Sequence, residues 1–553
     1  MAQSRDTDSS PAGRLGVAEV ADRLYHQPNV EHLSAAQARE RSFSYGQVTE
    51  FGNVNFVTSV RNRSAGLTVY LGSEAVSQRT LSDRQRQIIA KVGDTLPAVH
   101  RHLDRTPMVC VRRTMGDNDT FSPHCTLYVS TYCRYAVQLV YMWGETLLPY
   151  RPTQPGPELR LIYVPEWPEH ERQILVFPEA GVTYVLGSDY MGESKKGFLR
   201  MAMWFAKQQG MLGVHSGAKL LQAWGPDRRL RRYSMLLFGL SATGKTTHSC
   251  QDHGLTHRGE NIAVVQDDVC FLRPDGSALG TECGFYLKTE GLDPHTQPLL
   301  YRAATQPDTL FENVMVDFEG HIDFQDETVT SNGRGVVQMA NLAPHASDSI
   351  NLPPVEELDG LLCIFITRRN TVLPMVSKLN AEQAALAFVL GESIESSAGD
   401  PRRAGESVRV VGTNPFIVGN EEQEGNWFYR FMQDQGDRVQ AYLINTGGVG
   451  EVRERQADGS IRVRREVMRI QIPETSAIFR ALVRGRVEWQ PEPHFGTLVP
   501  TRIDGFDLKR FDPRSFYSEA EIEQYVTELK GERRQYLERF PGLDPAVIAA
   551  VGA

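Results

Sequence analysis

Residues 233–249 read YSMLLFGLSATGKTTHS. An apolar run, Met235, Leu236, Leu237 and Phe238, leads into GLSATGKT, in which Gly239, Gly244, Lys245 and Thr246 fill the pattern G-x-x-x-x-G-K-[ST]. The spacing has a physical meaning. Gly239 and Gly244 let the backbone curl, so that successive amides, those of Ser241, Ala242 and Thr243 among them, turn inward on phosphate oxygens. The helix that follows, through Thr247, adds its positive end. Lys245 supplies a point charge to β- and γ-phosphates, and Thr246 offers a hydroxyl to Mg²⁺. The pattern predicts a strand, a glycine-rich turn and a helix start, and with them a bound nucleoside triphosphate.

Working outward, residues 261–272, NIAVVQDDVCFL, predict a buried strand ending in Asp267 and Asp268. An acid-tipped apolar strand near such a turn is a Walker-B type element, whose carboxylate holds a metal directly or through water. Upstream, SDYMGESKKGFLRMAMWFAKQQG predicts an apolar helix from Phe198, with Lys195 and Lys196 at its entry. Lysines near a helix N-terminus are electrostatically unfavourable there, and on spacing alone the pair reads as exposed. His215 follows in GVHSG. Within residues 53–72, VTSV and LTVYL predict two strands flanking Arg61 and Arg63. A helix is expected over 81–103 and another over 134–152, ending at Pro149. Strands are expected over 126–133, 159–167 and 173–187, and loops over 419–425 and 454–459. Ser518 with Glu521 forms a capping box opening a helix over 518–540.

With 553 residues the chain has room for two to four domains. A 41% hydrophobic and 23% charged composition is that of a soluble globular protein. The net charge of -9 leaves no basic footprint for nucleic acid. Short basic runs at 228–232 and 462–465 read as solvated faces. Seven cysteines without a C-x-x-C pair fit a reducing, cytoplasmic compartment. The polar N-terminus lacks a secretory h-region and reads as a disordered lead-in, and no apolar run reaches membrane-span length.

The order of these motifs resembles the ATP-dependent phosphoenolpyruvate carboxykinases, over roughly residues 51–540. GSDYMGESKKGF is similar to the family's G-x-x-Y-x-G-E-x-K-K-G segment, GVHSGA to M-H-C-S-A, and FGLSATGKTT to F-G-L-S-G-T-G-K-T-T. QDDV matches the family's acidic pair, and ENVMVDFEGHIDFQDETVTSNGRG, VLPMVSKL, LINTG and RIQIPETSAI are also similar. The resemblance implies an α/β, two-lobed carboxykinase-like fold. A mixed-sheet substrate-binding domain would span 1–224, and a P-loop kinase domain 225–553.

The same resemblance implies roles for single residues. Lys196, His215 and Asp268 would bind Mn²⁺, a site type that suits nitrogen and oxygen donors. Lys196 would have to be neutral to do so. Thr246 would bind the Mg²⁺ carried by ATP, and Lys245 its phosphates. Arg334 would steady the transferring phosphoryl group. Tyr190 and Lys195 would face the substrate, Arg63 would take its carboxylate, and Lys288, Arg469 and Thr475 would border the nucleotide. The implied reaction turns oxaloacetate and ATP into phosphoenolpyruvate, ADP and CO₂, in a monomer or small homo-oligomer. Val269, Cys270, Phe271, Cys283, Gln297 and Ala242 depart from the family pattern, whereas Glu282 keeps it. Two other readings share these residues: a kinase of the same fold with another small-molecule or protein acceptor, and an ATP-binding regulator without catalysis. The set Lys196, His215 and Asp268 favours catalysis, since a sensor has no use for a second metal site.

Overall fold

The computed structural model describes residues 16–78, 80–240, 243–394, 406–455 and 461–552. The expected N-terminal lead-in, Ser241 and Ala242 of the glycine-rich turn, and most of the 454–459 loop lie outside them. The chain is a mixed α/β protein with several mixed sheets. Its contacts divide it into two compact units that interleave in sequence. Unit 1 is Met1–Gly213 with Leu279–Ala343 and Phe416–Asn420. Unit 2 is Val214–Ala278, Pro344–Pro415 and Glu421–Ala553. A single cut near Trp224 is therefore replaced by a boundary at Gly213 and two excursions of the chain back into unit 1. Among the described residues no helix is long and apolar enough to cross a membrane.

In unit 1 a mixed sheet runs in the order Val30–His32, Met108–Thr114, His124–Ser130, Glu158–Val164, Val182–Leu186, Gln173–Phe177, Thr68–Tyr70. Side chains alternate between its faces. On one face Ile162 and Tyr184 pack under helix Asp83–Leu103, whose Ile88, Val92, Leu96, Val99 and Leu103 recur at helical spacing and are buried. A capping box at Ser82 and Gln85 opens that helix. On the opposite face, Leu161 and Thr183 meet helix Met191–Gln208 at Gly197. A Cβ on Gly197 would come within 2.4 Å of Leu161 Cδ1, so any other residue there would have to push the buried Leu161 side chain aside.

Three local expectations change. The strand expected at VTSV ends earlier, at Phe56, because the amides beyond it bond to side chains, Thr58 N to Asn313 Oδ1 and Ser59 and Val60 N to Asp189, instead of a neighbouring strand. The helix expected to reach Pro149 stops at Gly144, where Arg113 Nε donates to the Gly144 carbonyl at 2.8 Å, and Leu148–Pro149 pairs as a strand with Arg113 and Thr114. The loop expected over 419–425 gives way to helix Glu421–Gln435. A second sheet of unit 1, Gly284–Lys288, Arg334–Gln338, Leu310–Glu312, Val54–Phe56 and Gln47–Val48, carries several of the site residues.

In unit 2 strand Leu230–Gly239 runs antiparallel to residues 216–224, and parallel to Gly360–Thr367, which is itself parallel to Val439–Asn445. Ligands of open α/β sheets gather at the carboxyl ends of such strands. Those ends here are Gly239, Thr367 and Asn445. Phe238, immediately before Gly239, stacks on Phe365 at 4.9 Å and meets Phe388 and Phe428 edge-on at 6.1 Å each. Aromatic packing thus anchors the strand end that feeds the turn. Phe238→Ala is expected to cost about 3–5 kcal/mol of stability, read as an earlier melting transition. Phe238→Leu is expected to recover most of the loss.

Candidate active site

The lysine pair is deeper than its spacing predicts. Helix Met191–Gln208 starts at Met191 rather than at Phe198, so Lys195 and Lys196 lie in its second turn. The exposed reading is thereby corrected. Lys195 is 2% exposed and ion-paired with Glu282, itself 2% exposed. A lysine so buried keeps its charge when a counter-charge accompanies it. Lys196 is half-buried, its ammonium 4.6 Å from the centroid of the Phe416 ring.

Two buried carboxylates flank Tyr190 at the entry to this helix. Asp189 accepts the Ser59 and Val60 amides and the Ser59 hydroxyl, each at 2.8 Å. Glu193 accepts the Ser64 amide. Between them they hold the loop that carries Arg61 and Arg63. Arg63 lies 4.9 Å from the Phe416 ring. Burial, and next the charge of Arg200, push its guanidinium below the ordinary value. Asn332 links the other side: its Nδ2 donates to Arg61 O at 2.7 Å and to the Tyr190 hydroxyl at 3.1 Å, and its Oδ1 accepts from Arg334 Nη2 at 2.6 Å. Arg334 also stacks on Tyr286 at 5.3 Å. Unit 1 therefore brings Arg63, Tyr190, Lys196 and Arg334 into one neighbourhood. Lys288, on the same sheet, is ion-paired with Glu290.

Unit 2 carries the glycine-rich turn. Gly239 ends its strand, Gly244 has φ 96°, and helix Lys245–Cys250 begins at once. The positive φ is a conformation glycine adopts freely. Thr446, just past the third parallel strand, donates to Thr243 O at 2.9 Å and to Thr367 O at 3.1 Å, tying the strand ends to the turn. At the far end of the short helix Lys219, fully buried, donates to His248 O at 2.6 Å and Gln251 O at 3.2 Å, and contacts His253 Nε2 at 2.6 Å. Burial pulls its ammonium down to about 7. Thr475 spends its hydroxyl on Gln471 O at 3.2 Å, inside its own helix. Arg469 is exposed on a short strand paired with Gly448.

The acid-tipped strand is present as Asn261–Gln266, followed by Asp267 and Asp268. The two aspartates divide the work. Thr246 Oγ1 donates to Asp267 Oδ2 at 3.3 Å, whereas Asp268 Oδ1 lies 3.1 Å from His215 Nε2. His215 Nδ1 is 2.6 Å from the Thr413 carbonyl, which can only accept, so Nδ1 carries the hydrogen. In a neutral imidazole Nε2 then offers its lone pair to a carboxylate oxygen. Two acceptors face each other, and a proton or a cation between them resolves the conflict. Imidazole nitrogen and carboxylate oxygen fit a divalent ion. Among the described residues no group of three or more His, Cys, Asp and Glu could hold a metal ion.

The sequence matches the model of the family described as phosphoenolpyruvate carboxykinase over residues 22–509. The chain belongs to the phosphoenolpyruvate carboxykinase family. It is 33% identical over 374 residues to a protein of Aeropyrum pernix named "Phosphoenolpyruvate carboxykinase (ATP)", covering 67% of this chain and 70% of that protein. It is 27% identical over 347 residues to one of the same name from Rhizobium rhizogenes, covering 62% of this chain and 58% of that protein. The residues at which this carboxykinase departs from the family pattern after its acidic pair, Val269, Cys270 and Phe271, lie in a buried strand, Val269–Leu272. At Cys283 burial pushes the thiol up to about 12, away from the thiolate form.

Sequence reasoning missed Asp189, Glu193, Asn332, Glu312 and Phe416. The first two stand inside the quoted lysine segment, but their partners lie 129 or 130 residues away, and no local pattern announces that. Glu312 accepts the Met191 amide at 2.8 Å and the Tyr286 hydroxyl at 2.6 Å. Burial pushes its carboxyl up to about 7, against those bonds. The folded chain therefore keeps a proton that the unfolded chain sheds. This stabilisation is complete below the usual carboxyl range and lost as pH rises through about 7. Glu312→Gln is expected to flatten the fall in melting temperature between mildly acidic and slightly alkaline buffer. An unchanged slope rules Glu312 out as its source.

Proposed function

We propose that this carboxykinase converts oxaloacetate and ATP to phosphoenolpyruvate, ADP and CO₂. The observation that carries the proposal is the division of the acidic pair, Asp267 to Thr246 and Asp268 to His215, beside the glycine-rich turn. That arrangement supports two cation sites of different chemistry, one all-oxygen and one mixed nitrogen and oxygen. Unit 2 is read as the P-loop kinase half of a two-lobed fold, and unit 1 as the substrate half.

Gly239, Thr243, Gly244, Lys245, Thr246 and Thr247 would cradle the triphosphate, Ser241 and Ala242 completing the turn. Thr246 and Asp267 would hold Mg²⁺. His215 and Asp268 are the donors unit 2 supplies to Mn²⁺, and Lys196 is the third ligand implied by resemblance. When bound, these ions supply Lewis-acid charge to phosphoryl and enolate oxygens. Arg63 binds and orients a substrate carboxylate. Loss of CO₂ from the β-keto acid leaves an enolate, whose negative charge Lys195 and Tyr190 face. The enolate oxygen attacks the γ-phosphate, and Lys245 and Arg334 offset the charge spread over the transferring oxygens. No covalent enzyme intermediate is needed. Lys288, Arg469 and Thr475 border the nucleotide in this reading.

The deciding experiment is a product assay with oxaloacetate, ATP, Mg²⁺ and Mn²⁺. Formation of phosphoenolpyruvate and CO₂ supports the reading, and ATP hydrolysis without either transfers the function to another acceptor. Lys245→Ala is expected to lower turnover roughly 100- to 1,000-fold while the melting curve holds. His215→Ala is expected to lose Mn²⁺ binding, measured by electron paramagnetic resonance, with ATP affinity kept. Wild-type Mn²⁺ binding in that variant would remove the second metal site.

A further inference from the structure

The Phe416 ring has three cations around it. Arg63 lies 4.9 Å from its centroid, Lys196 4.6 Å and Arg200 5.9 Å. Arg200 follows Lys196 by one turn of helix Met191–Gln208 and is 2% exposed. Among the described residues its Nε and Nη1 have no hydrogen-bond partner. The counter-charge beside it is Glu193, with Nη2 3.9 Å from Oε2. That is an ion pair without a hydrogen bond. Glu193 is 0% exposed, and its Oε2 also has no hydrogen-bond partner among the described residues.

A dry guanidinium with two unbonded nitrogens is costly, and two cations beside it raise the cost. Packing does not call for it, since an apolar side chain of similar volume fills such a place at lower cost. The charge itself explains the residue. Glu193 already holds the Ser64 amide, next in sequence to Arg63. With no other cation at Glu193, Arg63 is the long, loop-borne guanidinium able to turn and pair with it, and such a pair would consume the charge meant for a ligand.

We infer that Arg200 is a positioning residue that neutralises Glu193, so that Arg63 remains available to a carboxylate of the substrate. Around the Phe416 ring Arg63 and Arg200 then stand against Glu193, with Lys196 a third cation when no metal is bound, while Asp189 is already taken up by the Ser59 and Val60 amides and the Ser59 hydroxyl; an incoming carboxylate balances the surplus. The inference rests on the role proposed for Arg63, and its test needs no turnover.

The probe is oxalate, titrated calorimetrically into the full chain in metal-free buffer without nucleotide. Arg200→Met is expected to weaken oxalate by about tenfold or more, and Arg200→Lys to stay within about threefold of wild type. The double variant Arg200→Met with Glu193→Gln is expected to return to within about threefold, because glutamine still accepts the Ser64 amide but no longer attracts Arg63. A residue that only fills space predicts a double variant no better than Arg200→Met. That outcome overturns the inference, as does wild-type affinity in Arg200→Met or no oxalate binding by the wild-type chain. Should Arg200→Met fail to fold, the double variant decides alone, with recovery supporting the inference and weakness overturning it. The phosphoenolpyruvate assay is separate: no product alongside the expected oxalate pattern removes the reaction and keeps the inference.

Discussion

A carboxylate sealed from water must be bonded, and Asp189 and Glu193 meet that demand by taking amide hydrogens from a loop far away in sequence. Much of unit 1 follows from this. The loop cannot continue the strand that ends at Phe56, because its amides are already committed. It is instead pinned against the start of helix Met191–Gln208, so the arginine on the loop and the lysines on the helix share one frame. Charge-assisted bonds of this kind are among the stronger ones available to a protein. Asn332 closes the frame from the second sheet by joining Arg61, Tyr190 and Arg334.

Unit 2 solves a different problem. The described residues on either side of the glycine-rich turn are held from outside it, by the Phe238 ring stack on the strand side, the Thr446 hydroxyl across the strand ends, and Lys219 on the last carbonyls of the short helix. A cation at those carbonyls complements the helix dipole, whose positive end faces the turn. Support of this kind reduces the ordering cost of ligand binding.

How much of this was legible beforehand depends on range. The strand ending at Gly239 and the helix starting at Lys245 could be read because the apolar run, the two glycines and the lysine mark their ends. The acid-tipped strand and the Ser518 capping box were legible for the same reason. The depth of Lys195 was not, because burial depends on Glu282, which arrives from a segment that returns to unit 1. Phe416 gave no signal at all: a lone phenylalanine in TNPFIVGN has no period or motif. The extent of helix 134–152 was misjudged because its stop is set by Arg113 on a neighbouring strand, not by its own residues.

Gly197 has a consequence for how this protein can change. With a bare hydrogen between helix and sheet, the lysine-bearing helix comes close to Leu161 and Thr183, and a side chain at 197 would have to displace Leu161 or lift the helix that carries Lys195 and Lys196. Exchanges in the loop that carries Arg61 and Arg63, or at Phe416, leave this contact between helix and sheet untouched.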